Sequence, residues 1–166
     1  MIIFRLCKIV LVAAIALFFT LVAFGNITDY QSNWQFVQHV LSMDTTFPES
    51  SLRWRAITDP TFQAAGYQAI IATEVVIAAL LWLSAVLLLL KLTSPDFNRA
   101  KSLGVAALAL GFLLYCVGFV EVGGEWFAMW QSQIWNGQQK AFDFIGMIGI
   151  VLVVLLLPDD QPVRPS

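Results

Sequence analysis

The sequence predicts an all-α integral membrane protein, a four-helix bundle with both termini in the cytoplasm. Of its 166 residues, 59% are apolar and 12% are charged, and the mean hydropathy is +0.78. Soluble domains carry about twice that charged fraction. A net charge of −2 without basic runs excludes nucleic-acid binding, and two cysteines are too few for a disulfide scaffold.

Four apolar stretches are each long enough to cross a hydrocarbon core of about 30 Å. The spans of this single domain, residues 1–166, are expected at about 6–25, 67–91, 103–122 and 141–158. The fourth span is the least certain to cross the membrane by length, because its uncharged stretch is short and the Lys140 side chain must extend to the lipid headgroups. Continuous apolar runs favour helices over a barrel. A signal peptide with Arg5 and Lys8 as its positive region stays an alternative for the first span.

Basic residues are distributed unequally between the two sides. Six fall on one side: Arg5, Lys8, Lys91, Arg99, Lys101 and Arg164. Three fall on the other: Arg53, Arg55 and Lys140. Because basic residues favour the cytoplasmic side, this distribution predicts cytoplasmic termini, a cytoplasmic loop at 92–102, and outer loops at 26–66 and 123–140. The cytoplasmic segments carry no catalytic or nucleotide-binding motif.

The first outer loop is expected to be long and helical. Trp34, Val37 and Leu41 are spaced as one face of a short amphipathic helix lying flat at the outer interface. Ser32 to Gln35 could form its capping box, and Phe47-Pro48 would close it.

The second span and the second outer loop have their own start and stop signals. Asp59-Pro60 predicts an N-cap and first turn, so the helix of the second span should begin near Pro60, although Gly66 weakens it. Gly123-Gly124 predicts the end of the third helix. Trp126, Trp130 and Ile134 after it are spaced as one helical face.

Aromatic residues dominate the outer loops, and they allow two interpretations. One is an aromatic belt at headgroup level. The other is a lid or partner-binding surface. The candidate interface aromatics are Trp34, Trp54, Trp126, Trp130 and Trp135.

Several stretches resemble one bacterial family. NITDYQSNWQFVQHVLSMDTTFP, LRWRAITDP, GGEWFAMWQSQIWNGQQKAF and the closing LLLPDD are similar to the predicted small integral membrane proteins known as domain of unknown function number 2165. The resemblance extends from the first span to Asp160. It implies a four-span protein of the inner membrane of Gram-negative bacteria, and it transfers no activity.

Glu74 is the one ionisable residue well inside a span, and intramembrane carboxylates are usually functional. In an antiparallel bundle several outer acids would lie near its level. Either an arginine pairs with one of them and fixes the loop over the bundle, or they line an outward-facing polar cavity. The candidate outer polar cluster is Asp29, His39, Arg53, Arg55, Glu74, Glu121 and Asp143.

No metal site or cofactor is predicted. His39 is the only histidine, and Cys7 and Cys116 lie at other depths. His39 is expected at the polar rim of the interfacial helix or as a pH-responsive contact. Binding of a lipid or a quinone stays an alternative.

Glycines in the third and fourth spans are spaced for close helix packing, either within the bundle or against another protein or second copy. These helix-packing candidates are Gly104, Gly111, Gly118, Gly146 and Gly149.

The first functional hypothesis is a non-enzymatic accessory or interaction subunit that contacts a larger membrane complex, or a second copy, through its periplasmic loops. The alternative is an outward-facing binding or transport protein for a cation, lipid or quinone-like amphiphile that uses Glu74 and nearby acids. The protein is expected to contact the lipid bilayer and not to bind nucleic acid.

Overall fold

Helices account for most of the chain in the computed structural model, which describes residues 2–159. Arg164, and Asp160 of the closing LLLPDD, lie outside the described residues. The helices within them are α1 (Ile2–Thr28), α2 (Tyr30–Ser42), α3 (Pro60–Leu90), α4 (Phe97–Trp126) and α5 (Gln138–Leu156). Two single 3₁₀ turns, Arg53–Arg55 and Met129–Gln131, lie in the loops.

Four of these helices, α1, α3, α4 and α5, are long and apolar enough to cross a membrane. This confirms the all-helical, four-helix membrane bundle. Helix α1 packs on α3, α3 on α4 and α4 on α5, and α5 closes the ring against α1. Helices α1 and α4 extend beyond both ends of the spans expected for them, whereas α3 and α5 begin earlier than expected and end at Leu90 and Leu156, before the expected 91 and 158.

The bundle core consists of apolar side chains that the helices direct at one another. Phe19 of α1, Ile77 of α3, Leu108 of α4 and Ile148 of α5 have no exposed surface. Large apolar side chains also cover the outer faces of the same helices, as at Val10, which is 64% exposed. Apolar surfaces on both sides of a helix are typical of proteins whose surrounding solvent is lipid.

The two ends of the bundle differ in size. The loop end carries α2 with residues 43–59 and 127–137. The terminal end carries the start of α1, the α3–α4 connection and the residues after α5. At the terminal end, the Arg5 guanidinium donates hydrogen bonds to the carbonyls of Leu92 (2.8 Å) and Ser94 (2.9 Å).

The start of α3 agrees with its capping signal. The Asp59 carboxylate accepts a hydrogen bond from the Thr61 amide at 2.7 Å, and Pro60 occupies the first turn. The helix continues through Gly66 without interruption.

The boundaries of α2 correct two expectations. Ser32 lies inside the helix, and Asp29 at the N-cap makes no capping hydrogen bond through its side chain. The helix ends at Ser42, before Phe47-Pro48, because Met43 takes a left-handed conformation (φ 52°) and buries its side chain.

The expectation that Gly123-Gly124 ends the third helix is wrong. Helix α4 continues to Trp126, and its last 13 residues, Leu114–Trp126, wind as a wider π-helix. Both glycines are buried with negative φ, and a side chain at Gly124 would collide with Gln138. Gly124 allows the close approach of Gln138, and the backbone next takes a left-handed conformation at Ala128, which has φ 52°.

The candidate packing glycines divide into two groups. Gly104 lies against Ser84 and Leu155, Gly111 against Phe19, and Gly149 against Phe112, all within the bundle. Gly118 and Gly146 have no neighbour from another helix within 4 Å of the Cβ position.

Candidate functional site

A cap covers the loop end. It is formed by α2 with residues 43–59 and 127–137. The two outer loops are joined by hydrogen bonds from the Thr45 hydroxyl to the Ser132 hydroxyl (2.9 Å) and from the Phe47 amide to the Gln131 side chain (3.2 Å). Beneath these bonds lies a small apolar core of Val40, Met43, Phe127, Ala128 and Met129. The loops therefore form one packed unit.

Two arginines fasten the cap, and within residues 2–159 neither forms an ion pair with an acid. Arg53 donates hydrogen bonds to the side chain (3.2 Å) and the carbonyl (3.1 Å) of Thr46. Arg55 donates to the carbonyl of Trp126 (3.2 Å), and its guanidinium lies 4.6 Å from the centre of that ring. Of the two alternatives for the outer acids, the arginine–carboxylate pair is not formed among the described residues, where Arg53 contacts Thr46 and Arg55 contacts Trp126.

His39 lies on α2 and joins the same cap. Its Nδ1 atom is 2.8 Å from the Asp44 carboxylate, and its ring stacks on Trp135 with 4.7 Å between ring centres. The imidazole thus connects α2 to the second outer loop.

Glu74 is buried inside the bundle, with 1% of its surface exposed. The Asn26 side-chain amide donates a hydrogen bond of 2.6 Å to its carboxylate. The Tyr67 hydroxyl donates in turn to the Asn26 carbonyl at 3.2 Å. These three residues link α1 to α3 near the loop end. Sequence reasoning missed Asn26, although a polar residue at the end of an apolar span was a visible signal.

The other acids of the candidate cluster lie apart from Glu74. Asp29 is exposed between α1 and α2, Glu121 is exposed on α4 beside Cys116, and Asp143 is exposed on α5 near Lys140. Within residues 2–159, no hydrogen bond or ion pair joins any two members of the candidate cluster. The structure therefore distributes the seven residues over separate local contacts.

The candidate tryptophans form two groups. Trp34 packs against Tyr30 and Tyr67, and Trp135 against His39, inside the cap. The second group is exposed: Trp54 (73%), Trp126 (48%) and Trp130 (47%). The Trp54 and Trp126 rings meet edge to face at 5.9 Å, so this outward-facing pair is held in a defined arrangement.

Two cavities lie on either side of Phe36 of α2. The apolar cavity, between α2, α3 and α4, has a volume of about 230 Å³ and is lined by Val37, Val40, Leu41, Ile70, Val122 and Phe127 among others. The aromatic slot, between α2, α4 and α5, has a similar volume of about 230 Å³. No member of the candidate polar cluster lines either cavity. In the described part of the chain, His, Cys, Asp and Glu residues form no group that could hold a metal ion.

Residues 4–158 match the family of predicted small integral membrane proteins, domain of unknown function 2165. The chain belongs to this family. Neither the curated proteins nor the solved structures contain a match. Family membership agrees with the four apolar helices and establishes an integral membrane protein that contacts the lipid bilayer.

A buried ionic cluster at the terminal end was not predicted. The Lys8 ammonium donates to the Leu157 carbonyl (2.6 Å) and to Asp159 (3.1 Å). Lys101 donates to the same carbonyl (3.0 Å) and forms an ion pair with Asp159. Asp159 is 6% exposed. The acidic end of the LLLPDD stretch was the available signal, and the cluster holds the end of α5 against α1 and α4.

Proposed function

We propose that this protein is a non-enzymatic accessory subunit of a larger assembly in the bacterial inner membrane, and that it contacts its partner through the cap. The observation that carries this proposal is the exposed pair Trp54 and Trp126, held edge to face with Arg55 beside both rings. Tryptophan and arginine dominate the binding energy of protein interfaces. A surface whose side chains are already ordered loses less conformational entropy on binding.

The proposed orientation places the cap in the periplasm. Among the described basic residues, Arg5, Lys8, Lys91, Arg99 and Lys101 belong to the terminal end. Arg53, Arg55 and Lys140 belong to the loop end. This imbalance supports cytoplasmic termini by the positive-inside rule.

The polar side chains of the cap support a structural role over a catalytic one. Arg53 donates hydrogen bonds to Thr46, Arg55 donates one to Trp126, and His39 lies between Asp44 and Trp135. His39 joins α2 to both loop segments, Arg55 joins residues 43–59 to the end of α4, and Arg53 joins two positions within residues 43–59. They would therefore shape the surface that the partner meets.

The test is mild-detergent purification from the native membrane, with mass spectrometry of what accompanies the chain. The wild type should recover a partner in fixed stoichiometry. A Trp54→Ala, Trp126→Ala double variant should lower that recovery about tenfold or more, as expected for interface hot spots. Trp82→Ala is the matched control, because Trp82 is also exposed (42%) but lies on α3 and bonds to Thr20.

Two outcomes would contradict the accessory role. One is recovery of the wild-type chain alone. The other is equal retention of the partner by the double variant and the wild type, since the exposed pair would then contribute nothing to binding.

A second candidate function is binding of a membrane amphiphile at the loop end. The two cavities beside α2 favour it, because their walls are mainly apolar and they adjoin helices that cross the membrane. The outer acids would take no part in such binding, since they lie outside both linings. Native mass spectrometry of the protein extracted from membranes should then find a retained lipid or quinone.

A further inference from the structure

The apolar cavity between α2, α3 and α4 is lined without a single polar side chain. Its twelve lining residues are aliphatic, aromatic, methionine or glycine, and none carries a side-chain nitrogen or oxygen. A buried water molecule needs about two to four polar partners, so these walls do not favour water. The volume of about 230 Å³ exceeds the roughly 150 Å³ at which an apolar cavity in another protein stays dry and binds apolar molecules. The chemistry of the walls therefore selects hydrocarbon.

Two glycines leave free space at the wall of this cavity. A Cβ at Gly66 of α3 would meet one side chain within 4 Å, that of Leu41 on α2, at 3.7 Å. A Cβ at Gly118 of α4 would meet only Leu114 of its own helix, at 3.9 Å. These are ordinary contact distances, whereas a Cβ at Gly111, deeper in the bundle, would lie 2.8 Å from a ring of α1. Gly66 and Gly118 therefore keep space open instead of bringing helices together.

The position of the cavity gives it access to the bilayer. Ile70 of α3 and Gly118 and Val122 of α4, which line it, lie on helices long enough to cross a membrane. Gly118 is exposed and Val122 is 43% exposed, so the cavity is open beside α4. The buried side chains of Val37 and Val40 on α2 close it on the side of the cap. What surrounds the open side of a spanning helix is lipid, so a lipid chain is the hydrocarbon that reaches the cavity.

We propose that the apolar cavity takes up one hydrocarbon chain of a membrane lipid, which enters between α3 and α4 and ends beneath α2. The proposal rests on the second candidate function above and names its ligand class and its cavity. Binding depends on the chain and not on the headgroup, because no charged or polar side chain lines the cavity. The aromatic slot differs in this respect, because Asn33 and Lys140 line it.

The experiment photolabels the delipidated full chain with a phosphatidylcholine that carries a diazirine in one acyl chain. Digitonin is the detergent, because its hydrophobic part is a steroid and not an alkyl chain. The lipid is titrated, and peptide mass spectrometry after irradiation identifies the residues that react. We expect labelling that reaches a plateau on two walls of the cavity, at Leu41 of α2 and at Val122 of α4. Phosphatidylglycerol with the same labelled chain should give the same half-maximal concentration.

Two variants fill the cavity. Gly66→Leu extends a side chain from α3 towards Leu41, and Gly118→Leu adds one at the open side. Each should raise the half-maximal concentration about tenfold or more, since each methylene displaced from the cavity weakens binding roughly fourfold. Gly146→Leu on α5 is the matched control and should leave it unchanged. Gly146 is also exposed, its Cβ would meet nothing within 4 Å, and it lies outside the cavity.

The map of labelled residues in the wild type decides the proposal even where a filling variant does not fold. Saturable labelling confined to residues outside the cavity, such as those of the aromatic slot, would overturn the cavity assignment and leave amphiphile binding in place. The same holds for labelling that requires one headgroup, or that both filling variants leave unchanged.

Two further outcomes concern other occupants. Absence of labelling, together with a dimer in native mass spectrometry that the filling variants dissociate, would assign the cavity to a second copy and overturn the proposal. Absence of saturable labelling anywhere on a monomer would overturn the proposal and the second candidate function together.

Discussion

Buried ionic and polar side chains hold the two ends of this protein together. Asp159 lies between Lys8 and Lys101 at the terminal end, and Glu74 accepts a hydrogen bond from Asn26 near the loop end. Each contact joins segments that are far apart in the chain. Removing one partner would leave the other buried without compensation, which is the costly case for a buried charge or polar group.

Asp159→Asn should lower the free energy of unfolding by about 3 kcal/mol, because two buried ammonium groups lose their counter-charge. Thermal unfolding in detergent micelles measures the loss. Asp96→Asn is the control: Asp96 lies 3.8 Å from Arg99 in an exposed pair, for which about 0.5 kcal/mol or less is expected. Equal effects of the two substitutions would contradict this role of the buried cluster.

The same cluster should make the stability of the folded protein fall at acidic pH. Burial disfavours the charged form of Asp159, but hydrogen bonds and charge from Lys101 and Lys8 outweigh it and lower its pKa below 3.8. Since the folded-state pKa is depressed, the stabilisation is present above the unfolded value and is lost as the pH falls through the folded value. Unfolding temperatures measured between pH 6 and pH 3 should fall more steeply for wild type than for Asp159→Asn.

Glu74→Gln and Glu74→Leu should behave differently. The glutamine carbonyl can still accept the hydrogen bond from Asn26, so stability should stay within about 1 kcal/mol of wild type. Leucine leaves the Asn26 amide buried without an acceptor and should cost about 1 to 3 kcal/mol. Urea unfolding followed by tryptophan fluorescence distinguishes them, and equal stability of the two variants would refute a structural role for this bond.

Helices of the bundle approach each other closely where a glycine lacks a side chain. Capping residues fix where a helix begins. Gly111 brings α4 against Phe19 of α1, and Gly104 brings it against Ser84 of α3. Asp59 and Pro60 set where α3 begins. The π-helical end of α4 carries Tyr115, Phe119 and Gly123 to the two cavities. Helix ends and glycine contacts therefore decide where the cavities lie.

Gly111→Ala should destabilise the bundle by about 1 to 3 kcal/mol, because the added Cβ would lie 2.8 Å from the Phe19 ring in a filled core. Gly146→Ala is the matched control on α5, where the Cβ would meet nothing within 4 Å. It should be neutral or slightly stabilising, since alanine favours helix over glycine by about 1 kcal/mol. Thermal unfolding of both variants measures the two changes in stability. A larger loss for Gly146→Ala than for Gly111→Ala would contradict the packing described.

The two ends of the molecule carry different structural features. The loop end carries the cap, both cavities and the exposed tryptophans, and the terminal end carries the α3–α4 connection and the buried lysines. The helices between them present apolar side chains to their surroundings. The proposed partner and ligand contacts therefore depend on which compartment the loop end faces.

Thiol labelling tests the proposed orientation. In a background with Cys7 and Cys116 replaced by serine, a cysteine introduced at exposed Glu49 should react with a membrane-impermeant maleimide in intact spheroplasts. A cysteine at exposed Asn98 should react only after lysis. The opposite pattern would place the cap in the cytoplasm and remove the periplasmic partner from the proposal.

The amino-acid sequence was enough to predict four apolar helices that could cross a membrane, their approximate extents, the start of α3 and an amphipathic α2. These features follow from hydrophobicity and capping signals over neighbouring residues, which are local properties of the chain. The family resemblance depended instead on the polar and aromatic stretches of the outer loops, and the match over residues 4–158 confirms it.

The contacts between polar residues, in contrast, became clear only from the folded chain. Glu74 pairs with Asn26, 48 positions away, and Asp159 with Lys8, 151 positions away. The candidate cluster could not be assigned correctly from sequence, because local patterns do not specify the order of helices around a bundle. That order, α1–α3–α4–α5, also creates the aromatic slot and leaves the Tyr115 hydroxyl without a partner among the described residues.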